Sequence, residues 1–190
     1  MAITFPPLIL ASKSPRRQQL LTLMGLNFEV LLKDVDESYP EGLEPAEIAV
    51  YIAAQKAKAF DAAEEVVITA DTIVALNGEI LGKPTDRAHA QEMLAKLSGS
   101  KHEVYTGVTL VQGDKVYSFY DRTEVYCKPV TSEEIDFYID HYQPYDKAGS
   151  YGVQDWWGLV VVQRIEGSYT NIMGLPTEKL YQELQNFLGL

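Results

Sequence analysis

A chain of 190 residues with 46% hydrophobic content is long enough to bury a full core, and a single domain spanning residues 1–190 is the expectation. Its net charge of −11, from 27 acidic against 16 basic residues, argues against the broad basic face that DNA, RNA or an anionic membrane surface requires, and leaves room for a small anion held by a local reversal of charge. Cys127 stands alone, so no intrachain disulfide can form, which fits a reducing compartment such as the cytoplasm; no apolar run approaches the ~20 residues of a membrane span, and residues 1–7 lack the pattern of a secretion signal.

The chain begins its organised part with Leu8, Ile9, Leu10 and Ala11, a short buried strand, followed at once by Ser14 as helix N-cap and Pro15 in the first turn. A strand that runs into a helix start aims unpaired backbone N–H groups and the positive end of the helix at one spot. Lys13, Arg16 and Arg17 add side-chain charge there without one intervening acid, and phosphate is the anion that such a junction suits. The bland alternative is an ordinary helix start with a solvated basic face.

The first helix carries Leu20, Leu21, Leu23 and Met24 and stops at Gly25; a second strand is expected at 28–32, then a polar loop holding Asp34, Asp36 and Glu37. Asp34 reads as a solvated acid, whereas Glu37 stays open between solvation and function. An alanine-rich helix is expected over 45–62, with Ile48, Ile52, Lys56 and Phe60 on one face. Lys56 interrupts that apolar stripe, either snorkelling to water or aimed into a cleft.

Val66, Val67, Ile68, Thr69 and Ala70 form a near-continuous apolar run, expected to be a strand covered on both faces and to end at Asp71 and Thr72. Ligands of open α/β sheets gather outside such strand ends, which makes Asp71 a better catalytic candidate than the loop acids, the plain alternative being an aspartate that only forms the turn. Asn77 and Gly78 mark a tight hairpin between 73–76 and 79–81, from which Lys83 returns toward the cleft ahead of Pro84. A helix at 86–97, two long antiparallel strands at 104–111 and 116–126, and a helix opened by Thr131 and Glu134 follow. Residues 145–154 suit an ordered functional loop, 158–163 a strand, 167–175 irregular chain, and 176–187 a closing helix. Parallel strands in the first half and an antiparallel pair in the second predict an α/β architecture with two lobes around one cleft. His89, His102 and His141 have no zinc-like spacing, so a metal would be a hard divalent ion on carboxylates.

Several pieces then coincide in order: Ala11-Ser12-Lys13-Ser14-Pro15-Arg16-Arg17, Ala70-Asp71-Thr72, Gly82-Lys83-Pro84, Ser98-Gly99 with His102, Asp146-Lys147-Ala148-Gly149-Ser150-Tyr151-Gly152-Val153-Gln154, and Gly174-Leu175-Pro176. Together they resemble the Maf family of nucleoside triphosphate pyrophosphatases over nearly the whole chain. The resemblance implies a mixed, elongated sheet flanked by helices with a central cleft, of Maf and ITPase-like type, and a homodimer. It implies cleavage of a nucleoside triphosphate between its α and β phosphates with a divalent cation, Mg2+ or Mn2+, as cofactor. Pro15 and the Tyr151-Gly152-Val153-Gln154 run are similar to the branch acting on dTTP and UTP.

By the same resemblance, Asp71 is the proton acceptor, with Lys56 and Lys83 as catalytic cleft residues. Arg16, Thr72 and Gln154 select the base, Ser12, Ser14, Arg16 and Arg17 match phosphate positions, and Asp71 with Glu37 match metal handling. The sequence departs from the pattern at Asp155-Trp156-Trp157, where that branch carries a glycine-containing run. Two rival classes stand beside the enzyme: a nucleotide-sensing regulator of cell division, and an RNA-binding module, which the acidic charge opposes.

Overall fold

The computed structural model describes residues 5–61 and 64–190. Strand β1 (Leu8–Leu10) passes into helix α1 (Pro15–Leu23), whose N-cap Ser14 accepts from the Arg17 N–H; β2 (Phe28–Val30) and α2 (Pro45–Lys58) follow. Next come β3 (Val66–Leu76), β4 (Glu79–Leu81) and α3 (Arg87–Leu97), then the long pair β5 (Lys101–Gln112) and β6 (Lys115–Cys127). Helix α4 (Ser132–Tyr142), two single 3-10 turns, α5 (Trp156–Val160), β7 (Val162–Glu166), α6 (Tyr169–Met173) and α7 (Thr177–Leu188) complete the chain.

Seven strands form one mixed sheet in the order β2-β1-β3-β5-β6-β7, with β4 also on β3. The β1–β2 and β1–β3 pairs are parallel, and every other pair is antiparallel. Helix α2 covers one face, packing Ile48, Ala49 and Ile52 against Ile73, while its Ala57, and Phe60 just beyond its end, pack against Val67 and Val111. The larger core lies on the other face, where Leu20 and Leu21 of α1, Leu94 and Leu97 of α3, Ile139 of α4 and Leu180 and Leu184 of α7 meet the strands.

The arrangement around β3 positions the site. Along one edge β3 pairs with β5 from Val67 to Ala75. Along its other edge, residues 66–68 pair with β1 and residues 74–76 pair with β4. Residues 69–73 therefore have no strand partner on that side, and the sheet splits there. Such a divergence of strands is where α/β sheets open a crevice for ligands.

Several expectations change in detail. The strand expected to end at Asp71 continues through it, because nine consecutive register pairs with β5 carry the backbone on to Ala75. The second strand stops at Val30, leaving Leu31 and Leu32 about half exposed. Helix α2 ends at Lys58; Ala62, the far end of the expected helix, lies outside the described residues. The strand expected over 158–163 is half helix: the Asp155 carboxylate accepts from the Trp157 N–H at 3.2 Å and caps α5, a local signal that overrides the apolar run, and pairing with β6 begins at Val162. Within 167–175, Ser168 caps the short helix α6. The tight hairpin is as expected, with Asn77 at φ 51° and Gly78 at φ 85°, and so is the capping box of Thr131 and Glu134.

Candidate active site

Asp71 and Thr72 lie in the unpaired stretch of β3 and point to opposite faces, as neighbours on a strand must. Asp71 faces α2. Lys56, which shares a helix face with Ile48 and Ile52, reaches it with Nζ 2.7 Å from Asp71 Oδ1 and 2.9 Å from Glu37 Oε1. Both partners of the inner pair are mostly sequestered, with side-chain exposures of 15% for Lys56 and 14% for Asp71. The lysine thus belongs to the cleft instead of snorkelling outward. Desolvation pushes the Glu37 carboxyl upward, but the Lys56 hydrogen bond and the charges of Lys56, Lys83 and Arg17 outweigh it and hold the group below its ordinary range.

Thr72 faces the other way, into a hydrogen-bond network centred on the Arg17 guanidinium. Its Oγ1 lies 3.0 Å from Thr106 Oγ1 and accepts from Arg17 Nη2 at 3.0 Å. The buried Arg17 guanidinium also donates from Nε to the Gly174 carbonyl at 2.7 Å, and from Nη1 to the Ala70 carbonyl at 2.9 Å and to Ser12 Oγ at 3.2 Å. Four of its N–H groups therefore engage the protein, leaving one of the five. The Ala70 carbonyl, which has no strand partner in the split, is satisfied by Arg17.

One cleft of about 470 Å³ joins these parts, and both Arg16 and Asp71 line it. Its size is within the usual range for small-ligand sites. Seven basic residues line it, Lys13, Arg16, Arg17, Lys33, Lys56, Lys83 and Lys147, against the four acids Asp34, Glu37, Asp71 and Asp146. The cleft is therefore net positive within a chain of charge −11. Ser12, Ser14, Thr72 and Gln154 complete the set expected from sequence, so all ten candidate residues border one cavity. Gln154 is exposed at the rim and makes no side-chain hydrogen bond among the described residues, which leaves its carboxamide available to a ligand. Asp34, read as a solvated acid, has a 98% exposed side chain paired only with Lys13.

Three residues escaped the sequence reading. Asp146 accepts from Arg16 at 3.0 Å and from Lys147 at 2.8 Å, so it tethers the candidate base-selecting arginine to the 145–154 loop. Both lie in a stretch whose motif was visible but whose individual roles were not. Thr106 is the register partner of Thr72 across β3 and β5, and only the pairing of the two strands reveals it.

Asp71 and Glu37 offer a divalent cation two hard oxygen donors that already converge on a positive charge, the Lys56 ammonium. Among the described residues no group of three or more His, Cys, Asp or Glu side chains could hold a metal alone, so a cation here would share its coordination with phosphate oxygens and water, as Mg2+ commonly does.

A family model described as "Maf-like protein" matches residues 7–187. A protein of Bacteroides fragilis named dTTP/UTP pyrophosphatase is 51% identical, the match covering 94% of each chain. A Cytophaga hutchinsonii protein of the same name is 47% identical over 96% of this chain and 84% of its own. A Porphyromonas gingivalis protein, again so named, is 44% identical over 95% and 94%. With an ordered motif set on one cleft and a family match over nearly its full length, this chain belongs to the Maf-like family.

Proposed function

We propose that this chain hydrolyses dTTP and UTP to the nucleoside monophosphate and pyrophosphate. The observation that carries the reading is the net-positive cleft in which the Asp71 carboxylate and the start of α1 share one cavity. The names of relatives at 44–51% identity point to the same substrates.

In this reading the triphosphate lies against the α1 N-terminus, where Ser12, Ser14 and Arg16 offer donors and Arg17 contributes mainly charge, having one N–H to give. A water oxygen attacks the α-phosphorus, the bond from that phosphorus to the bridging oxygen breaks, and pyrophosphate leaves. The water proton passes to Asp71, whose Oδ1 is engaged by Lys56 while Oδ2 has no protein partner among the described residues. Lys56, Lys83 and Arg16 offset the charge that grows on the phosphate oxygens. A divalent cation on Asp71 and Glu37 would neutralise phosphate charge and make the water easier to deprotonate. Gln154 and Thr72 provide the carboxamide and hydroxyl that can pair with the O4, N3–H and O2 edge of uracil or thymine, on which cytosine exchanges donor and acceptor at positions 3 and 4.

The test is a panel of the common nucleoside triphosphates with Mg2+ or Mn2+, with pyrophosphate and orthophosphate resolved. Pyrophosphate from UTP and dTTP well ahead of CTP is expected. Orthophosphate as first product excludes α,β cleavage, and tight binding of UTP without turnover favours the nucleotide-sensing alternative.

A further inference from the structure

Gln154 hangs on a turn whose shape is set from behind the cleft. The Gly152 N–H donates to Tyr138 Oη at 3.0 Å, and that same hydroxyl donates to Asp155 Oδ2 at 2.9 Å. Asp155 Oδ1 accepts from the Trp157 N–H at 3.2 Å, and the Asp155 N–H closes back on the Gly152 carbonyl at 3.4 Å. Val153 and Gln154 are thereby bracketed between two residues held by one phenol. Tyr138 is fully buried in α4, with Tyr142 stacked at 5.3 Å and Trp157 tilted at 5.4 Å between ring centroids, so its hydroxyl is a fixed reference point.

The bracket leaves no slack. A β-carbon at residue 152 would stand 2.5 Å from Asp155 Oδ2, so the glycine is what allows the carboxylate to come this close. Asp155 is half buried, and desolvation raises its carboxyl above the ordinary range despite the bonds from Tyr138 and Trp157 and the charges of Lys147 and Arg16. Neither Tyr138 nor Asp155 lines the cleft. Asp155 opens the Asp155-Trp156-Trp157 stretch where the sequence departs from the pattern of its branch, and Tyr138 reaches it from α4.

We propose that Tyr138 and Asp155 are positioning residues for base selection, fixing the turn from Gly152 to Asp155 so that the Gln154 carboxamide meets the pyrimidine edge. The proposal rests on the reading of the cleft as a UTP and dTTP site. A base-reading hydrogen bond discriminates only when its donor and acceptor are held in place before binding, since a mobile carboxamide can turn to satisfy cytosine as well.

The experiment measures kcat and KM for UTP and CTP in the wild type, Tyr138→Phe and Asp155→Ala, each alone and combined with Gln154→Ala. Both single variants are expected to raise KM for UTP about 10-fold and lower the UTP-over-CTP ratio of kcat/KM by a similar factor, with kcat for UTP within about twofold of wild type, the scale of one lost orienting hydrogen bond. In the Gln154→Ala background neither substitution should lower the ratio further. Asp155→Ala, at a half-buried position, carries the test if Tyr138→Phe does not fold. An unchanged ratio in a folded variant overturns the proposal, as does an equal loss of kcat on both nucleotides, which would mark general damage to the site. Wild-type protein that releases no pyrophosphate from UTP or dTTP overturns the reading of the cleft and this proposal with it.

Discussion

Asp71 and Thr72 are adjacent on β3, yet their side chains sit in opposite physical settings. On the α2 face, Asp71 belongs to a short ionic chain with Lys56 and Glu37 that opens to the cleft. On the other face, half-buried Thr72 belongs to a lattice in which Arg17 and Thr106 fix its hydroxyl at the cleft wall. The first arrangement can exchange protons and charge with a bound anion, because its partners are ions facing a cavity. The second mainly holds position, presenting the Thr72 hydroxyl already oriented, because all but one of the Arg17 donors have acceptors inside the protein. A split in the sheet lets one strand present both to the same pocket.

The largest expected effect would break the comparison at its ionic side. Asp71→Asn keeps the shape and removes the proton acceptor, so turnover should fall at least ~100-fold, the usual weight of a general base. Stability should hold within about 1 kcal/mol, since Lys56 keeps Glu37 as partner. A steady-state assay beside a thermal melt checks both halves. Normal turnover in folded protein would remove Asp71 from the chemistry.

The next prediction concerns the lattice. Arg17→Met deletes four hydrogen bonds, leaving the Gly174 carbonyl without its donor and the Ala70 carbonyl with only a long contact from Lys56 at 3.5 Å. A loss of more than about 3 kcal/mol is expected, since each buried acceptor left unmet costs about 1–3 kcal/mol. For a chain of this length that is a fall in Tm of about 6–12 °C. If Arg17 acted mainly as a surface phosphate ligand, Tm would move little and KM would rise instead.

Gly107→Ala tests how closely the ionic side depends on the packing of α2 against the sheet. Gly107 is the register partner of Asp71 on β5, and a β-carbon there would lie 2.3 Å from the Ala49 carbonyl carbon in α2. Helix α2 must therefore move away, at about 1–3 kcal/mol for the overpacking. Because the same helix carries Lys56, turnover should fall with stability, whereas a change of stability alone would show that the Lys56 contact tolerates the shift.

The same contrast explains what could be read in the sequence. The strand-to-helix junction at Ser14 and Pro15, the hairpin at Asn77 and Gly78, and the capping box at Thr131 depend on neighbours a few residues away, so their signals are written locally. All ten candidate residues border the cleft, and eight of them lie in the ordered motif set, Glu37 and Lys56 being the exceptions. Periodicity alone left Lys56 undecided between water and the cavity. Continuation of β3 past Asp71 depends on β5, more than thirty residues on, and the Thr72 to Thr106 contact needs that register. Helix α5 turns on the Asp155 side chain, which an apolar run conceals. The Arg17 lattice assembles groups from α1, β3 and the turn at Gly174, and no short window contains them.

The smallest predicted effect sharpens the ionic side by pH. The Glu37 carboxyl in the folded chain titrates below its ordinary value, because Lys56, Lys83 and Arg17 outweigh its desolvation. Its ionised form therefore stabilises the fold above the unfolded pKa, and that increment disappears as pH falls through the lower, folded value. Glu37 is about half exposed, so solvent screening should keep the increment below about 1 kcal/mol. Glu37→Gln should lower stability slightly at pH 7 and match the wild type once the pH is low enough to protonate the carboxyl in the folded chain, a convergence that paired denaturant titrations carried down in pH can read. A gap that persisted unchanged into acid would mean that Glu37 acts through packing, and the ionic chain would then reduce to Lys56 and Asp71.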